Sequence, residues 1–270
     1  MAKPIRHIEL NTTPSCVIIE GGGLWNQRLF VFDELHSTNG WAMKNCALLH
    51  HGDIVHAIHQ TKGRGRFSRS WSAHKSKALT LSVILSTSRF SEIQSRIGQI
   101  GALSILKALH SFRIKAQLKW PNDVMVKEKK ISGILSELQS KEEIIILGIG
   151  VNVNTSHRDL CKAGLEKQAT SMKLEMGRSF EIEEVRQRLQ DQLERVLKKT
   201  ETEGSSFIGT EWTKHDWLSN CVVEIHRGDI KIYGNYQGLD KKGRIRITDQ
   251  SGHEKVFWDG DVQKIKVLNP

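Results

Sequence analysis

The sequence predicts an α/β (α+β) protein in which helices flank a mixed, partly antiparallel sheet, followed by a small C-terminal β-barrel. Four β-rich runs between residues 115 and 153 are joined by turns too short for helical crossovers, so neighbouring strands there must be antiparallel. Residues 93–111 and 181–199 carry apolar side chains at helical spacing. From about Asn220 onward, short β-type runs punctuated by glycine follow one another, which is typical of a small barrel. We therefore predict two domains, residues 1–218 and 219–270.

The first elements are a helix and two strands. Ser37 is suited to cap a helix over residues 38–50 that buries Trp41 and Ala42. Residues 54–60 and 78–86 are rich in β-forming residues and bracket a segment full of Gly, Arg and Ser. We predict that both are strands and that a long loop joins them.

In the middle of the chain, the spacing of apolar residues predicts a helix over 93–111. Strands are then predicted in the β-rich runs 115–120, 123–127, 130–138 and 143–153. The amphipathic helix over 181–199 is predicted to be the last long element of the first domain. Beyond it, the barrel strands are predicted within the runs 221–225, 230–239, 244–249, 255–260 and 262–268.

Composition excludes several classes of protein. The chain has 270 residues, 38% of them hydrophobic, and its apolar runs are far shorter than the ~20 residues that cross a bilayer. The N-terminus lacks the apolar stretch of a signal peptide, and the four cysteines form no C-x-x-C pair. We therefore expect a cytoplasmic protein with reduced thiols and no membrane association. The net charge of +10 is compatible with a nucleic-acid partner, an anionic substrate or mere solubility.

Much of this charge lies in residues 61–77, which contain six basic residues and no acid. We name residues 61–71 the Gly-Arg loop. It reads T-K-G-R-G-R-F-S-R-S-W. Glycines let the backbone approach a ligand closely, and the planar forks of Arg64, Arg66 and Arg69 suit carboxylate and phosphate. A solvated basic loop or a nucleic-acid patch accounts for the segment about equally well on its own. Its position between two strong strands favours an ordered site.

Two further segments carry polar groups at strand ends. Lys119-Trp-Pro-Asn-Asp123 forms a turn between strands and is followed by Lys130-Ile-Ser-Gly-Ile-Leu-Ser-Glu137, although Asn and Asp alone are more often turn residues. In Gly148-Ile-Gly-Val-Asn-Val-Asn154 the glycines remove bulk and the asparagines share one face of a strand. A core strand ending in a turn is the alternative interpretation.

The order and separation of these motifs closely resemble the biotin protein ligases. The resemblance extends to Ser37-Thr-Asn39, to Ala169-Thr-Ser171 and to the C-terminal segments 234–243 and 257–262, so it covers roughly residues 31–267. It implies a catalytic domain like those of class II aminoacyl-tRNA synthetases and biotin or lipoate ligases, with a barrel like a Src-homology-3 domain.

The resemblance implies that biotin and MgATP form biotinyl-5'-AMP, which a lysine of a biotin carboxyl carrier protein then attacks. Biotin is a substrate, ATP and Mg²⁺ are the cofactors, and no resident metal site is expected. The implied biotin contacts are Ser37, Thr38, Asn39, Gln60, Arg64, Gly65, Arg66, Lys130 and Gly133. The implied nucleotide contacts are Arg66, Arg69, Trp71, Asn122 and Asn152, with Asp123 beside them.

Elementary chemistry agrees with these assignments. Joining a carboxylate to a phosphate brings negative charges together, so Arg64, Arg66 and Lys130 are expected to neutralise them during catalysis. The attacking lysine must lose a proton, because its pKa of about 10.4 keeps it unreactive near neutral pH. Asp123 is our hypothesised base or orienting carboxylate. Without the motif, Lys130 would more often be a solvated surface lysine.

The sequence differs from the family pattern at one position, and it leaves several alternative functions open. The family usually has glycine where this chain has Ser68. A lipoate ligase or octanoyl transferase shares the fold but requires a different loop. A ligase with a DNA-binding winged helix needs about 50 to 60 residues before Ser37, so a single-function ligase without DNA binding is expected, as a monomer or weak homodimer. A basic nucleic-acid-binding module without catalysis is the rival from another class.

Overall fold

A nine-stranded mixed sheet forms the larger part of the fold, and the computed structural model describes residues 7–10, 15–72 and 75–265. The strands in this first part are β1 (His7–Leu10), β2 (Cys16–Glu20), β3 (Arg28–Leu35), β4 (Ile54–Gln60), β5 (Gly63–Arg64), β6 (Ser70–Trp71), β7 (Ala78–Ser86), β8 (Gln117–Lys119), β9 (Asp123–Val126), β10 (Lys129–Gln139) and β11 (Ile144–Asn152). The order across the sheet is β1-β2-β3-β4-β7-β11-β10-β9-β8, and β5 pairs with β6 in a separate hairpin. β3 and β4 are parallel, whereas β7 to β11 pair antiparallel as the short turns predict.

Helices cover the two faces of this sheet unequally. They are α1 (Thr38–Lys44), α2 (Ile97–Ser111), α3 (His157–Lys162), α4 (Met172–Met176), α5 (Ile182–Glu203) and α6 (Ser205–Lys214). Successive side chains of a strand point to opposite faces. In β11, Ile145 and Leu147 therefore join the core under α2 and α5, while Ile144 and Ile146 join a smaller core under α1. The α1 face is thinly covered, which leaves room for a site.

The C-terminal strands form a five-stranded antiparallel sheet, which is the predicted barrel. They are β12 (Val222–Arg227), β13 (Ile230–Leu239), β14 (Ile245–Thr248), β15 (Glu254–Phe257) and β16 (Asp261–Lys264), in the order β15-β14-β13-β12-β16. Val223, Ile225, Ile245, Ile247 and Val262 are fully buried and belong to the same hydrophobic cluster as the α2 face of the large sheet. The barrel is thus packed on the first part of the chain. The predicted last run continues to residue 268, outside the described residues.

Hydrogen bonds from the first part of the chain fix the turn between β13 and β14. The Gly243 carbonyl accepts from Trp120 Nε1 at 3.0 Å and from Gln99 Nε2 at 2.7 Å. Arg96 Nη1 donates to the carbonyl oxygens of Ser205 at 2.6 Å and Lys241 at 3.4 Å. Because all three side chains are buried, these bonds hold the barrel turn against the start of α2.

Several predicted boundaries are wrong. The helix predicted over 38–50 ends at Lys44, because Asn45 Nδ2 donates to the Trp41 carbonyl at 2.8 Å and a 3₁₀ turn follows. Helix α2 begins at Ile97, after a 3₁₀ segment in which Phe90 leaves helical geometry. The helix α6 follows α5, so α5 is not the last helix before the barrel. The β1–β2 hairpin was not predicted. Among the described helices, none is long and apolar enough to span a membrane.

Candidate active site

A cavity on the α1 side of the large sheet brings together nearly all the residues selected from the sequence. The space along its lining, open solvent included, is about 880 Å³. The predicted residues that line it are Ser37, Thr38, Asn39, Gln60, Arg64, Gly65, Arg66, Arg69, Trp71, Asn122, Asp123, Lys130 and Gly133. Segments separated by almost a hundred residues therefore meet at one place.

Asn152 is the exception, because the structure does not bring it to the cavity wall. Its side chain is buried, and Nδ2 donates to the Thr170 carbonyl at 3.0 Å. The amide is thus engaged in joining the end of β11 to the segment before α4. The predicted nucleotide contact of Asn152 has no support in this geometry.

The Ser-Thr-Asn motif begins α1 and forms a buried polar corner. Ser37 caps the helix as predicted, since its Oγ accepts from Gly40 N at 3.3 Å. Gln60 Oε1 accepts from the Thr38 amide at 2.7 Å and from the Thr38 hydroxyl at 3.1 Å. Ser82 Oγ lies 2.7 Å from Thr38 Oγ1 and 2.6 Å from Asn39 Oδ1. These mutual bonds hold small donors and acceptors in fixed positions.

Two glycines of β11 make space for this corner and for Trp71. A Cβ atom on Gly148 would lie 2.2 Å from Asn39 Oδ1, and one on Gly150 would lie 2.4 Å from the Trp71 ring. Side chains at either position are therefore excluded. The interpretation of the Gly-Ile-Gly-Val-Asn strand as one stripped of bulk is consistent with these contacts.

Lys130 enters the cavity because of an irregularity in β10. Lys130 pairs with Met125 and Ser132 pairs with Val124, so Ile131 is an extra residue in the ladder. The Cβ of a side chain at Gly133 would lie 2.8 Å from Lys130 Cε. A bulge and a glycine thus give this lysine its place. Asn122 is fixed nearby, since its Nδ2 donates to the Ile134 carbonyl.

Ion pairs from three different strands hold the cations of the cavity. Arg64 Nη2 lies 2.7 Å from Glu137 Oε1 of β10. Lys130 Nζ lies 2.6 Å from Asp123 Oδ1 of β9, and Arg69 Nη2 lies 2.7 Å from Asp261 Oδ2 of β16. Each pair fixes the direction of a long side chain. The carboxylate also neutralises part of the positive charge that a ligand would meet.

The cavity is nevertheless strongly cationic. Arg64, Arg66, Arg69, Lys119 and Lys130 line it, against the carboxylates of Asp123 and Asp261. Burial lowers the pKa of Arg66, although the carboxylates nearby oppose this. The hydrogen bond to Asp261 raises the pKa of Arg69. Burial works against ionisation of Asp261, but Arg69 and its other basic neighbours hold the pKa of that carboxyl below its usual range. The site is suited to anions.

The Gly-Arg loop adopts a left-handed backbone at its tip. Phe67 and Ser68 have φ values of 51° and 58°, a conformation that glycine adopts with least strain. The backbone turns back on itself through Gly65 N to the Arg69 carbonyl at 2.7 Å. Ser68 therefore occupies a position where the loop geometry itself favours the glycine of the family pattern.

Four residues of the site had no role assigned from the sequence. Glu137, Lys119 and Asp261 lie inside the motifs quoted above. Their positions in these motifs could have indicated that they belong to the site. Ser82 gave no signal beyond a strand position. Among the described residues, no three His, Cys, Asp or Glu side chains cluster as metal ligands.

Comparison with known proteins gives a consistent relationship. The model described as the Biotin/lipoate A/B protein ligase family matches residues 31–154, a range that supplies the cavity except for Asp261. The chain is similar to this family over those residues. It is 26% identical to the biotin–[acetyl-CoA-carboxylase] ligase of Mycobacterium tuberculosis, over 92% of this chain and 93% of that protein. It is 28% identical to the bifunctional ligase/repressor BirA of Bacillus spizizenii over 76% of its own length, and spans 64% of that relative.

Solved structures of biotin protein ligases are similar to most of this chain. The biotin protein ligase from Aquifex aeolicus in complex with biotin and ATP superposes with a TM-score of 0.77 at 27% identity, covering 88% of this chain and 99% of that one. The mixed sheet with flanking helices and the small C-terminal sheet are therefore those of the biotin protein ligase fold.

Proposed function

We propose that this chain attaches biotin to a lysine of a biotin carboxyl carrier protein through biotinyl-5'-AMP. One observation carries the proposal: a single cavity joins a buried polar corner, suited to a small uncharged ring, to an excess of cations suited to a carboxylate and phosphates. The sequence relatives named as biotin ligases support it, as does the structural neighbour bound to biotin and ATP.

The polar corner is the proposed site of the biotin ring system. Ser37, Thr38, Asn39 and Gln60 offer hydroxyl and amide groups to the ureido ring, whereas Gly65 and Gly133 leave space for the valeryl chain. Because Gln60 and Thr38 already bond to each other, little side-chain freedom is lost on binding.

In the first step, a biotin carboxylate oxygen attacks the α-phosphorus of MgATP, the bond to the bridging oxygen breaks, and pyrophosphate leaves. Arg64, Arg66 and Lys130 neutralise the approaching negative charges. Arg69, Trp71 and Asn122 are assigned to the nucleotide side. Magnesium enters as part of the substrate MgATP, held chiefly by phosphate oxygens.

In the second step, the carrier lysine attacks the acyl carbon, AMP leaves and a proton is lost from the amine. Asp123 remains our candidate for orienting or deprotonating that amine. Its carboxylate already accepts from Lys130 at 2.6 Å, a pairing that favours the orienting role. If Asp123→Asn forms the adenylate normally and also transfers it normally, this role is wrong.

We further propose a domain boundary at 218/219, just before β12. A cytoplasmic location is also proposed, because all four cysteines are free. A monomer or weak homodimer is the proposed oligomeric state.

The decisive experiment incubates the purified chain with biotin, MgATP and a biotin carboxyl carrier domain. We expect biotin on one acceptor lysine by mass spectrometry, and no modification when lipoate or octanoate replaces biotin. A gel-shift assay with random duplex and single strands runs beside it. Absence of both adenylate and transfer would contradict the proposal, as would modification by lipoate alone.

A further inference from the structure

Lys119 is a cation of the cavity to which neither the sequence motifs nor the ion pairs assign a role. It ends β8, directly before the Trp120–Pro121 turn, and lines the cavity with Arg69 and Lys130. Neighbouring backbone bonds fix its strand: Leu118 N donates to the His215 carbonyl at 2.7 Å, and Trp217 N donates to the Leu118 carbonyl at 2.8 Å. The ammonium lies 5.3 Å from the Trp217 ring centroid. The side chain is thus held in place from two sides.

The ammonium of Lys119 differs from most other cations of the cavity in having no acidic partner. Arg64, Arg69 and Lys130 each form an ion pair shorter than 3 Å. Within residues 15–72 and 75–265, no carboxylate oxygen lies within 4.0 Å of Lys119 Nζ. Arg66 also lacks an ion pair there and reaches only the Gly260 carbonyl, at 3.4 Å.

Burying a cation without a partner is costly. Burial lowers the pKa of Lys119, although Asp123 and Asp261 at greater distance oppose this. An anion that enters the cavity would relieve the cost, and two unpaired cations fit a ligand with several negative charges. The triphosphate of ATP carries more charge than the single phosphate of an acyl-adenylate, so it requires more cations than the adenylate does.

We propose that Lys119, together with Arg66, binds the phosphate chain of ATP and stabilises the pyrophosphate that leaves during adenylate formation. This assignment rests on the proposed ligase function. As the bond between the α-phosphorus and the bridging oxygen breaks, its electron pair stays on that oxygen, and the Lys119 ammonium offsets the added negative charge. Transfer from the adenylate involves no pyrophosphate. Lys119 therefore acts in the first step and is dispensable in the second.

The test separates the two steps in the full-length chain. Biotin-dependent exchange of labelled pyrophosphate into ATP measures adenylate formation, and single-turnover transfer from purified biotinyl-5'-AMP to the carrier domain measures the second step. For Lys119→Met we expect exchange to fall about 100-fold, with transfer within twofold of the wild type. Lys115→Met, an exposed position in the same segment, serves as the matched control and leaves both steps unchanged.

Further variants keep the result interpretable. Lys119→Gln retains the polar stem without the charge and should show the same selective loss, whereas Lys119→Arg should recover much of the exchange. Biotin binding and the melting temperature should stay at wild-type values in all three variants. Unchanged exchange, an equal loss in both steps, or a loss confined to transfer would each overturn the assignment. Absence of exchange in the wild-type chain would instead contradict the proposed function itself.

Discussion

At the scale of single residues, one carboxylate links two binding motifs that are far apart in the chain. Glu137 Oε2 accepts from Asn39 Nδ2 at 2.9 Å, while Oε1 accepts from Arg64 Nη2 at 2.7 Å. The side chain of Glu137 is 19% exposed; its bond to Asn39 is partly buried, whereas its bond to Arg64 is exposed to solvent. The position of Arg64 in the cavity thus depends on a residue that contacts no substrate in the proposed mechanism.

We expect Glu137→Gln to raise the KM for biotin about tenfold, or about 1.4 kcal/mol, because a charge-assisted bond to Arg64 is lost. The turnover number should change less. Initial rates of adenylate formation at varied biotin concentration measure both quantities. Glu142→Gln, at an exposed position of the β10–β11 turn, is the control. An unchanged KM would show that Arg64 does not depend on Glu137.

The left-handed conformation of Ser68 predicts that glycine at this position stabilises the protein. Glycine relieves strain at a positive φ but gains freedom in the unfolded chain, so Ser68→Gly should raise the free energy of unfolding by about 0.5 kcal/mol. Ser70→Gly in strand β6 should lower it by about 1 kcal/mol, because glycine weakens a strand. Urea denaturation of both variants measures the difference. A loss of stability in Ser68→Gly would contradict the strain argument.

At the scale of elements, local patterns predicted strands better than helix ends. Residues 54–60 and 78–86 are strands with the predicted bounds, because their β-forming residues are stopped sharply by turn residues. The end of α1 depends on one side-chain bond from Asn45, and the entry into α2 depends on where Phe90 is buried. Tertiary contacts of this kind leave no periodic pattern in the sequence. For the same reason, Gly243 could be recognised as a turn residue but not as the acceptor of two bonds from the first part of the chain.

The turn at Gly243 should tolerate a methyl group poorly. Its φ is +79°, and an added Cβ would lie 2.6 Å from Gln99 Oε1. Gly252 has a similar φ of +81° with nothing within 4 Å. We expect Gly243→Ala to cost about 3 kcal/mol and Gly252→Ala about 1 kcal/mol, since both introduce backbone strain and one also disturbs buried hydrogen bonds. Chemical denaturation of both variants isolates the contribution of packing at Gly243 to the free energy of unfolding. Equal losses of stability in the two variants would contradict that contribution.

At the scale of the whole molecule, the seam between the first part of the chain and the C-terminal sheet contains a buried acid. Asp216 follows α6, and its carboxylate accepts from the hydroxyl of Tyr236 in β13 and from Leu218 N. Burial raises the pKa of Asp216 to about 6, although these bonds oppose the shift. Burial, together with the neighbouring Asp216, also raises the pKa of Tyr236. The seam therefore becomes charged within a moderately acidic range of pH.

The sign of the resulting pH dependence follows from proton binding. Between pH 4 and 6 the folded state keeps a proton on Asp216 that the unfolded state has lost, so stability falls as the pH rises through this window. A pKa raised from 3.8 to about 6 corresponds to about 3 kcal/mol. Asp216→Asn should lack this loss, so its stability relative to the wild type should increase by about that amount between pH 4 and 7.

Urea denaturation of Asp216→Asn and the wild type at several pH values tests this expectation. Asp229→Asn, at an exposed turn of the barrel, controls for a general change in charge. A stability difference between Asp216→Asn and the wild type that is the same at every pH would show that Asp216 does not titrate in this window.

The ion pair between Arg69 and Asp261 joins residues 192 positions apart in the chain. During synthesis, the Gly-Arg loop leaves the ribosome long before the strand that holds it. A growing chain that has reached only α6 contains the polar corner, Lys130 and the arginines, but lacks the carboxylate that directs Arg69. During synthesis the cavity can therefore be completed only after β16 has emerged, and the chain acquires its full set of charged contacts only once the barrel is in place.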